Sequence, residues 1–356
     1  MVTLQSVTIL HRRFIIMRSF DNYSLLAHNT FGIDARCSRF VEYENVMELH
    51  EVLEHLRENP DMPFFHIGGG SNLLFTSDFE GIILHSAIRG KEMQKKQNGE
   101  VLLRVGAGEV WDELVGWCVE QGFYGFENLS HIPGEVGAAA VQNIGAYGKQ
   151  VGDFIVAVHT VSVETGECRV FSKADCAYAY RFSAFKGEQR GKYVVTQVDF
   201  LLSDRFEPDL SYGALSRELA ARQLSPSAIT ASSLRDLVVE VRKSKLPEPE
   251  DLGSAGSFFM NPIVEHATAQ KLLDVYKDMP HYPMENGVKI PAGWLIEQCG
   301  WKGKRVGRVG VYEKQALVLV NYGGGSGQDI CALSKTIQTA VFEKFGIHIQ
   351  PEVNFI

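Results

Sequence analysis

The chain lacks most of the signatures that announce a metal, a membrane span or a nucleic acid. Its six cysteines, at positions 37, 118, 168, 176, 299 and 331, form no C-x-x-C pair, and the closest two are eight apart. That excludes the common zinc knuckles and a compact disulfide framework, and fits reduced thiols in a cytoplasmic protein. The eleven histidines include no H-E-x-x-H, and His50 and His55 are five apart on an expected helix. That is off the i,i+4 spacing that brings two imidazoles to one metal, so no metal site is expected. No apolar run approaches the roughly eighteen residues of a membrane span, and His11-Arg12-Arg13 interrupts any signal-peptide core in Met1–Met17. Positive charge is in deficit: 35 Lys and Arg against 43 Asp and Glu give a formal charge of −8, with a pI near 5.8. A general nucleic-acid binder needs the opposite balance. No G-x-x-x-x-G-K-[ST] occurs, and the residue three beyond Gly70 is Leu73, so neither a P-loop nor a dinucleotide fingerprint is present. Internal repeats and low-complexity segments are also missing.

Small residues, by contrast, are concentrated. Ile132 to Gly148 reads I-P-G-E-V-G-A-A-A-V-Q-N-I-G-A-Y-G, eight of seventeen residues being Gly or Ala. Glycine reaches positive φ and bares backbone N–H groups, so such a stretch suits either a phosphate-bearing ligand or a tightly packed turn. Upstream, Gly68-Gly69-Gly70-Ser71-Asn72 follows the apolar run 63–67, which reads as strand, phosphate turn, strand. Gly303–Gly310 and Gly323–Gly327 are read as surface turns.

Hydrophobic spacing gives an α+β chain. Asn45 is a natural N-cap for a helix with Val46, Leu49, Leu53 and Leu56 on one face. Strands are expected at 82–84, 101–105, 154–163 and 192–202, and a helix at 111–121. Beyond about residue 202 longer helical patterns appear at 233–243, 267–277, 291–299 and 328–345, with a buried strand at 316–321. Ile347, Ile349, Val353 and Phe355 alternate with His348, Gln350, Glu352 and Asn354 as a half-buried strand would. Residues 1–18 are expected to be a disordered extension, the first sixteen untranslated if Met17 is the true start. A first domain is expected over 19–204, split near 75–85 into two subdomains, and a second over 205–356.

Three groups could carry chemistry. Ser257 lies between small residues and two phenylalanines in Gly253-Ser254-Ala255-Gly256-Ser257-Phe258-Phe259. Phe259 stands where a nucleophile elbow needs glycine, so a hydrolase triad is a poor reading. A hydroxyl can still hand a proton to a carbanion, a far stronger base. Alternatively, Ser257 is a buried serine bonded to backbone. Arg181, in Tyr178-Ala179-Tyr180-Arg181-Phe182, suits a planar carboxylate or a plain polar face. Glu352 either polarises a reacting centre or faces water. Tyr212 on a turn and the basic helix end at Arg242 to Lys245 add further candidates.

Taken together, Asn29-Thr30-Phe31-Gly32-Ile33, Gly68–Leu74, Ile132–Gly148, Tyr180-Arg181, Ser211-Tyr212-Gly213, Lys245-Leu246-Pro247, Gly256-Ser257-Phe258-Phe259 and Pro351-Glu352-Val353 occur in the order of one family. The chain resembles the UDP-N-acetylenolpyruvoylglucosamine reductases of bacterial cell-wall synthesis, in their type I branch, over nearly its whole length. The resemblance implies an FAD-binding fold of the vanillyl-alcohol-oxidase (PCMH) kind with a C-terminal α+β substrate domain, FAD held non-covalently, and NADPH as hydride donor. It implies UDP-N-acetylglucosamine enolpyruvate as a small-molecule substrate, and a cytoplasmic monomer that needs neither membrane nor nucleic acid.

Carried over by motif, Ser257 would be the general acid, and Arg181 and Glu352 would stabilise the enolate. Gly68, Gly69, Gly70, Ser71, Asn72, Ile132, Gly134, Gly137, Ala138, Gln142, Asn143, Gly145 and Arg242 would hold the flavin, with Gln142 and Asn143 reaching the isoalloxazine edge. Tyr180, Tyr212, Lys245, Asn261 and Gln315 would bind substrate. Ala140 departs from the proline often found there. Two other readings stay open: an oxidase of the same superfamily, with covalent flavin through a residue such as His131, and a binding protein that kept the fold without turnover.

Overall fold

A computed structural model describes residues 18–356. The expected extension therefore lies outside the described residues, except that Arg18 already opens the strand Arg18–Ser24. The chain divides into two compact units. The first holds Cys37–Gly69 and Glu80–Arg242; the second holds Ser24–Arg36, Gly70–Phe79 and Lys243–Ile356. The division thus falls at Arg242, against the expected 204, because the helix Ala231–Lys243 is tied to the first unit by Arg235, bonded to Asp112 at 2.6 Å, and by Arg242, bonded to the His131 carbonyl at 3.0 Å.

In the first unit, Asn45 caps the helix Val46–Glu58, its Oδ1 accepting the Glu48 N–H at 3.0 Å, a cap that contributes about 1 kcal/mol. Leu49, Val52, Leu53 and Leu56 of this helix are buried with Val41, Tyr43, Ile82 and Leu84. These come from a four-stranded sheet in the order Arg18–Ser24, Arg36–Tyr43, Phe79–Ser86, Phe64–Ile67. The last pair runs parallel, Phe64 lying opposite Ile82. A second sheet, wholly antiparallel, runs Cys168–Ser172, Ile155–Ser162, Tyr193–Ser203, Glu100–Gly106, Lys91–Lys95. The helix Trp111–Gln121 buries Trp111, Leu114, Val115 and Cys118 against its apolar side chains.

The loop expected over 132–148 contains a helix, Val136–Gln142. Gly137 sits where a Cβ would come within 2.9 Å of Ala107 Cβ, so the small residues here let a short helix lie close to neighbouring backbone.

In the second unit a sheet runs Gly253–Ser257, Val318–Asn321, Val309–Val311, Arg305–Val306. Of the two glycine clusters read as surface turns, Gly303–Gly310 is therefore partly sheet, Val309–Val311 being buried, while the second is a turn that leads into a helix. The helix Gly327–Phe345 starts at a capping box between Ser326 and Asp329 and buries Ile330, Leu333, Ile337 and Val341, as the spacing predicts. Residues 347–350 alternate between buried and exposed, with Pro351 and Glu352 half-buried and Val353 buried, but the ladder there is Asn354–Phe355, parallel to Leu73–Leu74. Phe355 is exposed, contrary to its expected inner face, and meets Phe258 edge-on.

Candidate functional site

In the first unit, two small-residue segments lie against each other. A Cβ on Gly68 would stand 3.0 Å from Ala138 Cβ, and one on Gly69 3.3 Å from Gly134 Cα. Glu135, at the start of the short helix, reaches the same place, its Oε2 3.3 Å from the Gly68 position. Arg242 donates from Nε to the His131 carbonyl at 3.0 Å, fixing the residue before Ile132.

Arg181 sits at the tip of a two-residue turn closed by Phe182 N to Ala179 O at 3.0 Å and Ala179 N to Phe182 O at 3.1 Å. Its φ is +54°. Its Nη2 donates to Gly145 O at 2.8 Å, Lys186 Nζ donates to its own carbonyl at 2.9 Å, and its guanidinium lies 5.7 Å from the Tyr180 ring centroid. Tyr212 is exposed and meets Tyr147 edge-on at 5.5 Å. Asp209, three residues before it, binds Ser211 Oγ at 2.6 Å and Lys149 Nζ at 2.8 Å. The bonds from Lys149 and Ser211 hold the Asp209 carboxyl down at about 2.

Asn143 departs from expectation. Its Nδ2 donates to Gln150 Oε1 at 2.9 Å and to Ala179 O at 2.7 Å, while its Oδ1 accepts Gly152 N–H at 2.9 Å. With both donors spent and the residue fully buried, the side chain has no hydrogen left for an isoalloxazine edge.

In the second unit, Ser257 and Glu352 are brought together by backbone pairing. The strand Gly253–Ser257 shifts register between Ser254, opposite Val320, and Ser257, opposite Val318. Gly256, at φ +66°, makes the irregularity. Phe258 and Phe259 then plunge into the core, and Phe258 O accepts the Glu352 N–H at 2.8 Å while Phe259 bridges to Pro351. Asn72 closes the far side of Glu352, donating from Nδ2 to its carbonyl at 3.3 Å. Gly70 is forced into place beside this, at φ +68° under the His28 carbonyl. Ser71 is half-buried and Lys245 exposed. Asn261 Oδ1 accepts the Ala292 N–H at 2.9 Å, and Gln315 Oε1 accepts that of Leu317 at 3.3 Å.

A family model described as the C-terminal domain of UDP-N-acetylenolpyruvoylglucosamine reductase matches residues 248–356, and an FAD binding domain matches 37–172. Curated UDP-N-acetylenolpyruvoylglucosamine reductases from Bacteroides fragilis YCH46 and Porphyromonas gingivalis ATCC 33277 are 50% and 47% identical, each over 94% of this chain, and the matches span 99% and 98% of those proteins. The chain belongs to the UDP-N-acetylenolpyruvoylglucosamine reductase family. A crystal structure of the Thermus caldophilus reductase shares the fold, with a TM-score of 0.64 at 22% identity over 96% of this chain and 99% of that one.

One observation bears on how this family's FAD binding domain fits the residues named for it. Gln142 Oε1 is buried with no hydrogen-bond partner, an arrangement proteins rarely leave without a ligand or water to satisfy it. Thr30 Oγ1, whose residue bonds Gly70 O through its N–H, is in the same state. Of the residues named for FAD, Gln142 therefore fits a polar group, through an atom the protein itself leaves unmet.

Sequence reasoning missed a buried polar cluster in this domain. His85 lies between Glu42 (Nδ1 to Oε2, 2.9 Å) and Glu135 (Nε2 to Oε1, 2.9 Å). Burial alone would push the imidazole down; the hydrogen bonds and charges of Glu135 and Glu42 outweigh it and hold it above its ordinary value. Burial likewise pushes Glu42 up, but His85 and then Arg18 pull it below the usual carboxylate range. The neighbouring His66, whose Nε2 is 2.7 Å from the Tyr43 hydroxyl, is driven down to about 3 by burial and by the His85 charge, so it stays neutral.

A raised histidine pKa stabilises fully below about 6.5, and that contribution is lost as pH rises through the folded value; a lowered glutamate pKa stabilises above about 4.5 and is lost on acidification. The cluster is therefore tightest between these limits. His85→Gln is expected to lower the thermal midpoint more at pH 6 than at pH 9, measured by calorimetry across that range. An equal loss at both would show that the imidazolium contributes nothing.

Proposed function

We propose that the chain carries out the FAD-dependent, NADPH-driven reduction of UDP-N-acetylglucosamine enolpyruvate to UDP-N-acetylmuramate, with Ser257, Arg181 and Glu352 as its catalytic groups. Bound FAD, reduced by NADPH, supplies the hydride that adds to the enolpyruvyl double bond. Saturating that bond also takes one proton, and the chain's own residues govern its delivery.

Ser257 gives its hydroxyl proton to the carbon left electron-rich, which is basic enough to take it. Arg181 pairs with the substrate carboxylate, over which the charge spreads as enolate character develops, and Glu352, acting as a protonated carboxyl, donates a hydrogen bond to the same developing charge. Groups fixed before the reaction and aimed at charge that appears only in the transition state lower the barrier most. The observation that carries this reading is the backbone pairing of Phe258 with Glu352, which sets the proton donor and the carboxylate on neighbouring segments of one unit.

Gly68, Gly69, Gly134, Gly137, Ala138, Gly145 and Gln142 are proposed to hold the flavin non-covalently, together with Gly70, Ser71, Asn72, Ile132 and Arg242. Tyr180, Tyr212, Lys245, Asn261 and Gln315 are proposed to bind the sugar nucleotide, Lys245 at the diphosphate. The protein is proposed to act as a cytoplasmic monomer without nucleic-acid partners.

The test is spectroscopic. The purified protein is reduced anaerobically with NADPH and then given the enolpyruvyl sugar. Return of the oxidised flavin band on adding the sugar is expected; a band that returns only on admitting air would replace this reading with that of an oxidase.

A further inference from the structure

Asn143 is placed where a flavin contact is expected, yet one of its amide hydrogens goes to Ala179 O, in the turn that carries Arg181, and its other side-chain bonds, to Gln150 and Gly152, hold it there. We infer that Asn143 is a positioning residue that presets the Tyr180–Arg181 turn. The inference rests on the proposed role of Arg181 toward the substrate carboxylate.

The turn needs holding. Arg181 occupies its third position at φ +54°, and Ala177 nearby has φ +46°. Glycine or asparagine usually takes such a position in a turn, and an ordinary side chain there costs about 1–3 kcal/mol unless its surroundings fix it. Three bonds do so from one neighbouring stretch. Asn143 Nδ2 donates to Ala179 O at 2.7 Å, on the carbonyl that also closes the turn by accepting Phe182 N–H at 3.0 Å. Ser183 Oγ donates to Val141 O at 2.6 Å, and Arg181 Nη2 donates to Gly145 O at 2.8 Å.

Asn143 is the only side chain of residues 141–145 in this set; the other two bonds use carbonyls. It is itself fixed, since Gly152 N–H donates to its Oδ1 at 2.9 Å and a Cβ at Gly152 would stand 2.8 Å from that oxygen. Its own φ of +48° ends the helix Val136–Gln142, a conformation asparagine tolerates better than most residues. The amide thus converts the end of the flavin-loop helix into a fixed seat for the arginine turn.

The test uses the full-length flavoprotein and a double-mutant cycle of Asn143→Gly with Arg181→Met. Glycine keeps the left-handed backbone while removing the side chain and both its donors. The variant is expected to keep its flavin per chain, its visible spectrum and its rate of anaerobic reduction by NADPH. Its sugar-dependent reoxidation is expected to slow about 10- to 100-fold, the range in which small misplacements of a reacting group act. In the Arg181→Met background the same change is expected to add less than about twofold.

An unchanged rate in Arg181→Met alone would overturn the role given to Arg181. A slow Arg181→Met together with an equal Asn143→Gly factor in both backgrounds would overturn the positioning role and leave that of Arg181 standing. Loss of flavin or a shifted spectrum in Asn143→Gly would instead make Asn143 a cofactor contact. Asn143→Asp provides a second variant should the glycine variant not fold. It retains the acceptor for Gly152 N–H but removes both donors, and the same slowing confined to the sugar-dependent step is expected.

Discussion

Ser257→Ala is expected to leave the reduction of the flavin by NADPH intact and to slow sugar-dependent reoxidation by about 10²- to 10⁴-fold, the usual worth of a positioned general acid. The size of the effect follows from how little else the hydroxyl has to do. Ser257 ends a strand at a register shift, its backbone paired with Val318, and the apolar anchoring of the segment belongs to Phe258 and Phe259, which are 0% and 1% exposed. Removing one oxygen from Ser257 leaves those anchors, the Phe258–Glu352 backbone bond and the Gly256 conformation as they are. The two half-reactions, followed separately in a stopped-flow spectrophotometer, should diverge. Equal slowing of both would mean that the serine shapes the protein rather than donates a proton.

Gly70→Ala is expected to do the reverse and damage the fold first. A Cβ at Gly70 would stand 1.9 Å from the His28 carbonyl oxygen and 2.4 Å from its carbon, on a backbone at φ +68°. Neither partner is a flexible side-chain end, so the turn or the 28–30 segment has to move. Thr30 N–H, which donates to Gly70 O at 3.3 Å, would move with it. A cost of about 4 kcal/mol or more and a fall in thermal midpoint of about 10 °C are expected. Gly32→Ala makes the control. Its φ is +64°, but nothing lies within 4 Å of its Cβ position, so only the left-handed penalty of about 1–2 kcal/mol applies. Similar midpoints for the two variants would show that the crowding at Gly70 is relieved without cost.

Helices with a regular apolar stripe were legible in the sequence because burial follows spacing. Trp111–Gln121 falls where the pattern puts it, and Gly327–Phe345 begins within a residue of the expected start. The helix Val136–Gln142 was hidden by the same logic: built of glycine, alanine and valine up to its last residue, Gln142, it has no polar face to contrast with a buried one. The family motifs pointed to Ser257 and Glu352, and the backbone between 258 and 352 brings their segments together. Asn143 shows where residue identity stops being informative, since its amide suits a flavin or a carbonyl equally well and only the fold decides. The Glu42–His85–Glu135 cluster carried no local signal at all, its members being 43 and 50 positions apart. Nor did the boundary between units, which depends on Arg235 and Arg242 meeting Asp112 and the His131 carbonyl, 123 and 111 positions away.

The second unit draws on Ser24–Arg36 and Gly70–Phe79 as well as the C-terminal third, and Asn72 reaches across 280 positions to the Glu352 carbonyl. On a ribosome moving at about 5–20 residues per second, the early strand waits roughly 15 s to a minute for its partner. Leu73, Leu74 and Phe75, all buried in the finished unit, spend that interval without their eventual neighbours. Nascent chains of this protein should therefore offer that tripeptide to chaperones, and the second unit should become protease-resistant only after release from the ribosome.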